Sequence, residues 1–274
     1  MPELPEVETV VQTLKNMIID DEIISVDIHW ANTIDKISLN DFKNKIKNQK
    51  INDITRFGKI IAFVLDDYLM FTHLRMEGKY YVDDKLTLDK HSHVVFHLKS
   101  NRFLRYHDVR KFGKISLIEK ANYLSHPYLI NLGKEPFVIS VSELQAKLAN
   151  KNIEIKAALL DQHIMAGLGN IYVDEVLFRA RVHPETRAKL LNKKQLQSII
   201  DNAIIVLNKA IELGGTTIRS YTSSLGVSGK FQNELLVHTK QNLPCPNCQR
   251  PITKIKVKGR GTYLCQHCQK KLSD

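Results

Sequence analysis

Four cysteines, all inside residues 245–268, form two C-x-x-C pairs, Cys245-Pro-Asn-Cys248 and Cys265-Gln-His-Cys268, with sixteen residues between the pairs. Few arrangements restrict a fold as tightly. Four thiolates at this spacing can close a tetrahedron around one zinc ion and staple the chain between them into a short finger. The competing assignment, two disulfides, belongs to exported proteins. The first residues, MPELPEVETVV, lack the basic start and apolar core of a secretory signal. The spacing therefore predicts one structural Zn2+ held by Cys245, Cys248, Cys265 and Cys268. His267 sits where the cysteines already complete the site and is expected at the surface.

Between the pairs, Ile255 and Val257 alternate with Lys256 and Lys258, Gly259-Arg260-Gly261 offers a turn, and Thr262-Tyr263-Leu264 returns, which reads as a hairpin with Arg260 near its tip. The chain carries a net charge of +11, and residues 240–274 hold eight Lys/Arg against one acid, a net +7. Such a block suits a polyanionic partner; a merely solvated basic tail would not need cysteines and turn residues. With 274 residues, 43% of them hydrophobic, the chain is long enough for two domains with cores of their own. No apolar run approaches the ~20 residues of a membrane-spanning helix. A cytoplasmic protein that does not engage a membrane is expected.

From Val7, the residues Val10, Val11, Leu14, Met17 and Ile18 recur at helical spacing. Pro5 suits a first helical turn, and Glu6 and Glu8 suit the positive end of the helix dipole. That leaves Pro2 and Glu3 without a role. Strand-like runs follow at residues 23–30, 60–65, 68–74, 94–98, 103–106 and 114–118, with Asp66-Asp67 and Ser100-Asn101 as hairpin turns. Helical periods then dominate at residues 141–149, 154–161, 170–180 and 193–213. A polar, glycine-rich stretch, GGTTIRSYTSSLGVSGKFQ, separates the last helix from the cysteines; a connection of this length is usually functional or disordered. The pattern predicts an α+β chain of two domains. Residues 1–132 form a helix on an antiparallel β-sandwich, 133–140 a hinge, 141–238 a helical domain, and 239–274 the zinc finger.

PELPEVE at the start, GLGNIYVDE at 167–175 and KGRGTYLCQHC in the finger together resemble the bacterial formamidopyrimidine-DNA glycosylases, also called 8-oxoguanine DNA glycosylases. The resemblance covers nearly the whole chain. It implies a helix-two-turn-helix element in the second domain. It also implies excision of oxidised purines (8-oxoguanine, formamidopyrimidines) from double-stranded DNA, followed by β,δ-elimination at the abasic sugar. The endonuclease VIII branch, which acts on oxidised pyrimidines, typically opens with PEGPE; here Leu4 replaces that glycine. An oxidised-pyrimidine enzyme and a catalytically inactive lesion-binding protein are the alternatives, and a pure binder has no use for an N-terminal amine.

The resemblance also assigns residues. Pro2, freed by loss of Met1, is the Schiff-base nucleophile: an α-amine titrates near ~8, well below a lysine near ~10.4. Its iminium has no N–H to lose and so stays cationic, which acidifies the C2′ proton. Glu3 is the general acid/base, Lys59 the proton donor in β-elimination, and Arg260 the residue acting at δ-elimination. An arginine is a poor acid, which favours electrostatic stabilisation of the leaving phosphate. Met76, Arg110 and Phe112 fill the gap left by the flipped nucleotide. His91, Arg110, Lys156 and Asn170 contact phosphate, Asn170 at a helix start where an anion is favoured. The loop at 216–229 covers the everted base. A monomer is expected, associated with the bacterial nucleoid through DNA.

Overall fold

A computed structural model describes residues 1–216 and 229–272. The chain divides into two compact units, residues 1–130 with the described residues 214–216 and 229, and residues 131–213 with 230–272.

The first unit opens with α1 (Leu4–Ile18), for which Glu3 is the N-cap and Pro5 lies in the first turn. Its stripe Val7, Val10, Val11, Leu14 and Ile18 is buried, as amphipathic spacing requires. The helix packs against β3 (Asp53–Phe57) and β4 (Ile60–Val64). β4 continues through β5 (Tyr68–His73) to β9 (Lys114–Glu119), giving a four-stranded sheet in the order β3-β4-β5-β9. The second sheet runs β2-β1-β7-β8-β6, from β1 (Glu22–Ile28), β2 (Gln49–Lys50), β6 (Lys79–Asp83), β7 (Ser92–Leu98) and β8 (Phe103–His107). Every pairing is antiparallel. Inward residues of both sheets, among them Ile61, Phe63, Met70, Tyr80, Phe96 and Tyr106, share one core with α1. Four elements add to the expected set, one of them the two-residue β2. α2 (Leu39–Ile46) is a two-turn helix capped by Ser38, and β3 and β6 are short, half-exposed strands whose alternation is diluted by charged residues.

In the second unit, α3 (Val141–Leu148) and α6 (Lys193–Glu212) both start with capping boxes, Ser140 with Glu143 and Asn192 with Gln195. α5 (Asn170–Arg179) packs on α6, on α4 (Ile155–Leu160) and on β11 (Arg260–Leu264). β11 pairs with β10 (Thr253–Val257) in a hairpin. Val257 opposes Arg260, and the turn is Lys258-Gly259, both at positive φ. Arg260 is thus the first residue of the returning strand rather than the middle of the turn. Of the loop at 216–229, residues 217–228 lie outside the described residues.

Candidate active site and metal centre

In the first unit the amino end of α1 buries Pro2 and Glu3, the latter 3% exposed. The helix start is locked by Glu6. One of its carboxylate oxygens accepts from the Glu3 backbone N–H (2.9 Å). The other accepts from the Thr216 N–H (2.8 Å) and hydroxyl (3.1 Å). Gly215 passes so close, at φ 75°, that a Cβ there would lie 2.7 Å from Glu6 Oε1. Lys59 stands in the two-residue turn Gly58-Lys59 joining β3 to β4, with Phe57 opposite Ile60 and Gly58 at φ 57°. A lysine in a hairpin turn ordinarily faces water; this one is 5% exposed.

The charges of Glu3, Glu6, Lys59 and Glu77 all act on the chain's amino end, where burial lowers the Met1 amine below its ordinary value and Lys59 adds to that. Glu3, Glu6 and Glu77 oppose the shift without reversing it. An amine in this place is drawn toward its neutral, nucleophilic form.

Two turns at one end of the sandwich carry Met76 and the Arg110–Phe112 pair. Phe112 is 51% exposed, with the Arg110 guanidinium 4.9 Å from its ring centroid. Asp108, which is buried, builds its turn: one oxygen accepts from Arg110 N–H (2.9 Å), the other from Phe112 (2.9 Å) and Gly113 (2.8 Å). His91 is half-buried, its ring 5.5 Å from that of His107, and its Nδ1 is buried with no protein partner among the described residues.

In the second unit the four thiol sulfurs lie within 4.8 Å of one another, with Cys245 to Cys268 at 3.8 Å and Cys248 to Cys265 at 3.5 Å. A tetrahedron with Zn–S near ~2.3 Å has edges near ~3.8 Å, so the donor set fits zinc in number, softness and spacing. Phe178, Val237 and Ile252 pack against the cluster.

Asn170, the first residue of α5, donates from Nδ2 to Gly261 O (3.1 Å). Gly169 at its N-cap offers no side chain. Gln162 clamps this glycine loop, donating to Leu168 O (3.0 Å) and accepting from Gly167 N–H (2.9 Å). Arg260 is exposed beside it on the hairpin.

Lys156 corrects the sequence reading. It is fully buried, and its Nζ donates to Asp174 Oδ1 (2.7 Å), Thr262 Oγ1 (2.9 Å) and Gly261 O (3.1 Å). An ammonium with three such partners has no proton to offer a phosphate. Asp174, half of this pair, also accepts from Tyr263 N–H (3.2 Å) and holds His238 Nδ1 at 2.8 Å. Glu175 beside it caps the backbone N–H groups of Leu236, Val237 and His238. The sequence places Glu6 only at the positive end of the helix dipole and marks no role for Asp108, Asp174 or Gln162. Each lies inside or beside a motif, but its partners are set by the folded chain: Asp108 and Gln162 hold backbone groups of their own loops, while Glu6 and Asp174 reach residues far away in sequence.

Comparison with known proteins agrees along the chain. Residues 1–115 match the formamidopyrimidine-DNA glycosylase N-terminal domain, 132–222 the H2TH domain of the same enzymes, and 242–271 a zinc finger found in FPG and IleRS. The formamidopyrimidine-DNA glycosylase of Mycoplasma mobile is 45% identical over 271 residues, covering 98% of this chain and 99% of the relative. That of Bacillus subtilis is 45% identical over 275 residues, covering 99% and 100%. Among solved structures, Lactococcus lactis Fpg with abasic-site DNA superposes with a TM-score of 0.91 at 40% identity, covering 98% of this chain and 100% of that one. A MutM complex with DNA containing carbocyclic 8-oxo-G gives 0.90 at 40% identity, with the same coverage. The cysteine cluster is one structural zinc site.

Proposed function

The chain belongs to the formamidopyrimidine-DNA glycosylase family, and from that premise we propose how its own residues perform the chemistry. It is a DNA-binding base-excision repair enzyme, a glycosylase for oxidised purines that is also an abasic-site lyase. The observation that carries the residue assignment is the burial of two opposite charges that both act on the chain's amino end, Glu3 beside the buried Pro2 at the start of α1 and Lys59 in the turn between β3 and β4. Burying charge is costly, and such costs are concentrated at functional sites.

Once Met1 is removed, Pro2 nitrogen attacks C1′ of the flipped nucleotide. The glycosidic bond breaks, and Glu3 donates a proton to the opening ring oxygen. The iminium so formed acidifies C2′–H. Loss of that proton expels the 3′-phosphate, with Lys59 supplying a proton to the departing side. A second elimination expels the 5′-phosphate beside Arg260, whose fixed charge stabilises it. His91, Arg110 and Asn170 hold the backbone, and Met76, Arg110 and Phe112 occupy the vacated stack.

We take the enzyme to act as a monomer. Four zinc-binding thiols suit the reducing cytoplasm, where the substrate is the bacterial chromosome. Light scattering of the pure protein checks the first point.

The test is a duplex with one 8-oxoguanine opposite cytosine. Borohydride added during reaction should trap a covalent adduct that maps to Pro2, and a denaturing gel should show 3′- and 5′-phosphate ends. An adduct on Lys59, or full activity with Met1 retained, overturns the nucleophile assignment.

A further inference from the structure

The Met76 turn and the Phe112 turn are built alike. Each places a basic residue at positive φ just before its apolar side chain, Arg75 (56°) before Met76 and Lys111 (59°) before Phe112. Each closes on a glycine, Gly78 or Gly113. Each also crosses from one sheet of the sandwich to the other at the same end. The first leaves β5 at His73 and enters β6 at Lys79; the second leaves β8 at His107 and enters β9 at Lys114. His73 pairs with Lys114 and Lys79 with His107, so the two crossings start and finish opposite each other.

The two closing glycines meet the same atom. A Cβ added to Gly113 would lie 1.6 Å from the Tyr106 hydroxyl oxygen, and one added to Gly78 would lie 2.3 Å from it. Neither glycine has a positive φ, so backbone conformation does not demand glycine here; close approach does. Tyr106 is fully buried and braced from behind by Tyr80, ring centroids 5.3 Å apart and edge-on, whose own hydroxyl is 2.6 Å from Thr72 Oγ1.

We propose that Tyr106 is a positioning residue for nucleotide flipping: its hydroxyl, held between Gly78 and Gly113, sets the spacing of the two turns so that Met76, Arg110 and Phe112 enter the stack as one rigid unit. The inference rests on the gap-filling role given to those three side chains. Interiors are close-packed, so a spacer between two backbones transmits position directly. A misplacement near 1 Å is enough to lower a rate strongly.

The experiment uses full-length, zinc-loaded protein and two substrates. One is a duplex with a single 8-oxoguanine opposite cytosine. The other is a single strand with a preformed abasic site, which has no orphaned partner base and needs no gap filled. Tyr106→Phe deletes one oxygen and keeps the ring packing. It should lower the single-turnover rate on the duplex by roughly tenfold while leaving single-strand scission within about twofold. Trp30, the sole tryptophan, packs 4.0 Å from Lys111 Nζ in the Phe112 turn. Its fluorescence change on mixing with the duplex should slow by the same factor.

Met76→Ala is the reference variant. If it lowers the duplex-to-single-strand ratio and Tyr106→Phe does not, the role of Tyr106 is wrong and gap filling stands. If Tyr106→Phe lowers both rates together, the hydroxyl only supports folding and the proposal falls. If Met76→Ala leaves the ratio at its wild-type value, gap filling itself fails and takes this inference with it.

Discussion

Lys156 shows how a side chain's partners decide its role. Placed by resemblance among the phosphate contacts, it is instead a buried cation paired with Asp174 and tied to β11, the strand that begins with Arg260. Removing one member of a buried pair leaves the other charge uncompensated, so Lys156→Met should cost about 3–5 kcal/mol of stability. Thermal unfolding and zinc retention measure this; an unchanged melting temperature with a shallower salt dependence of DNA affinity would restore the phosphate role. His73 offers a second test. Burial, and then the charges of Arg75 and Lys59, push its pKa from 6.5 to about 3, while its Nδ1 accepts from Arg75 N–H (3.1 Å). Because the folded value is depressed, the unfolded chain takes up the proton first. Stability is intact above pH 6.5 and declines as pH falls from there toward 3. His73→Asn keeps an acceptor without a titrating group, so it should flatten that part of the stability–pH curve; identical curves would show that His73 is not what titrates.

Among the elements, the finger and the start of α1 depend on features of opposite kinds. Around the thiols of the finger pack Phe178, Val237 and Ile252, with Leu236 and Tyr263 partly buried against them, too little apolar surface to hold a segment of +7 without the ion. Chelation or Cys248→Ser should therefore unfold the finger and greatly weaken DNA binding, with the β-sandwich spectrum retained. Undiminished binding by demonstrably metal-free protein would refute this. The start of α1 is held by Glu6 and a glycine at φ 75°. Gly215→Ala adds a left-handed penalty of about 1–2 kcal/mol and a contact against the carboxylate. It should displace Glu6, and excision should fall more than DNA affinity does. Equal losses in both would place Gly215 outside the catalytic arrangement.

At the scale of the whole molecule, a charge of +11 makes phosphate neutralisation the main source of affinity. Affinity for undamaged and lesion duplex should fall steeply and in parallel as salt rises; a salt-insensitive dissociation constant would contradict this. Local order was legible wherever the signal is local. The zinc ligands follow from spacing, α1 from period and its first turn, α6 from period, and the hairpins at Asp66-Asp67 and Ser100-Asn101 from turn chemistry. β3, β6 and α2 escaped because they are short and carry charged residues that mask the period. Pro2, Glu3 and Arg260 are nominated by the motifs that carry the family resemblance, at the chain's amino end and in the stapled hairpin, and not by any local periodicity. Burial is different, because it depends on what the rest of the chain brings alongside. Lys59 and Lys156 are both lysines next to regular structure, and no local pattern tells them from solvated ones. Only packing buries Lys59 in the same unit as Pro2 and Glu3, surrounds Lys156 with three acceptors, and sets one tyrosine hydroxyl against two glycines 35 residues apart in sequence. Such contacts are non-local, and the tertiary structure alone decides them.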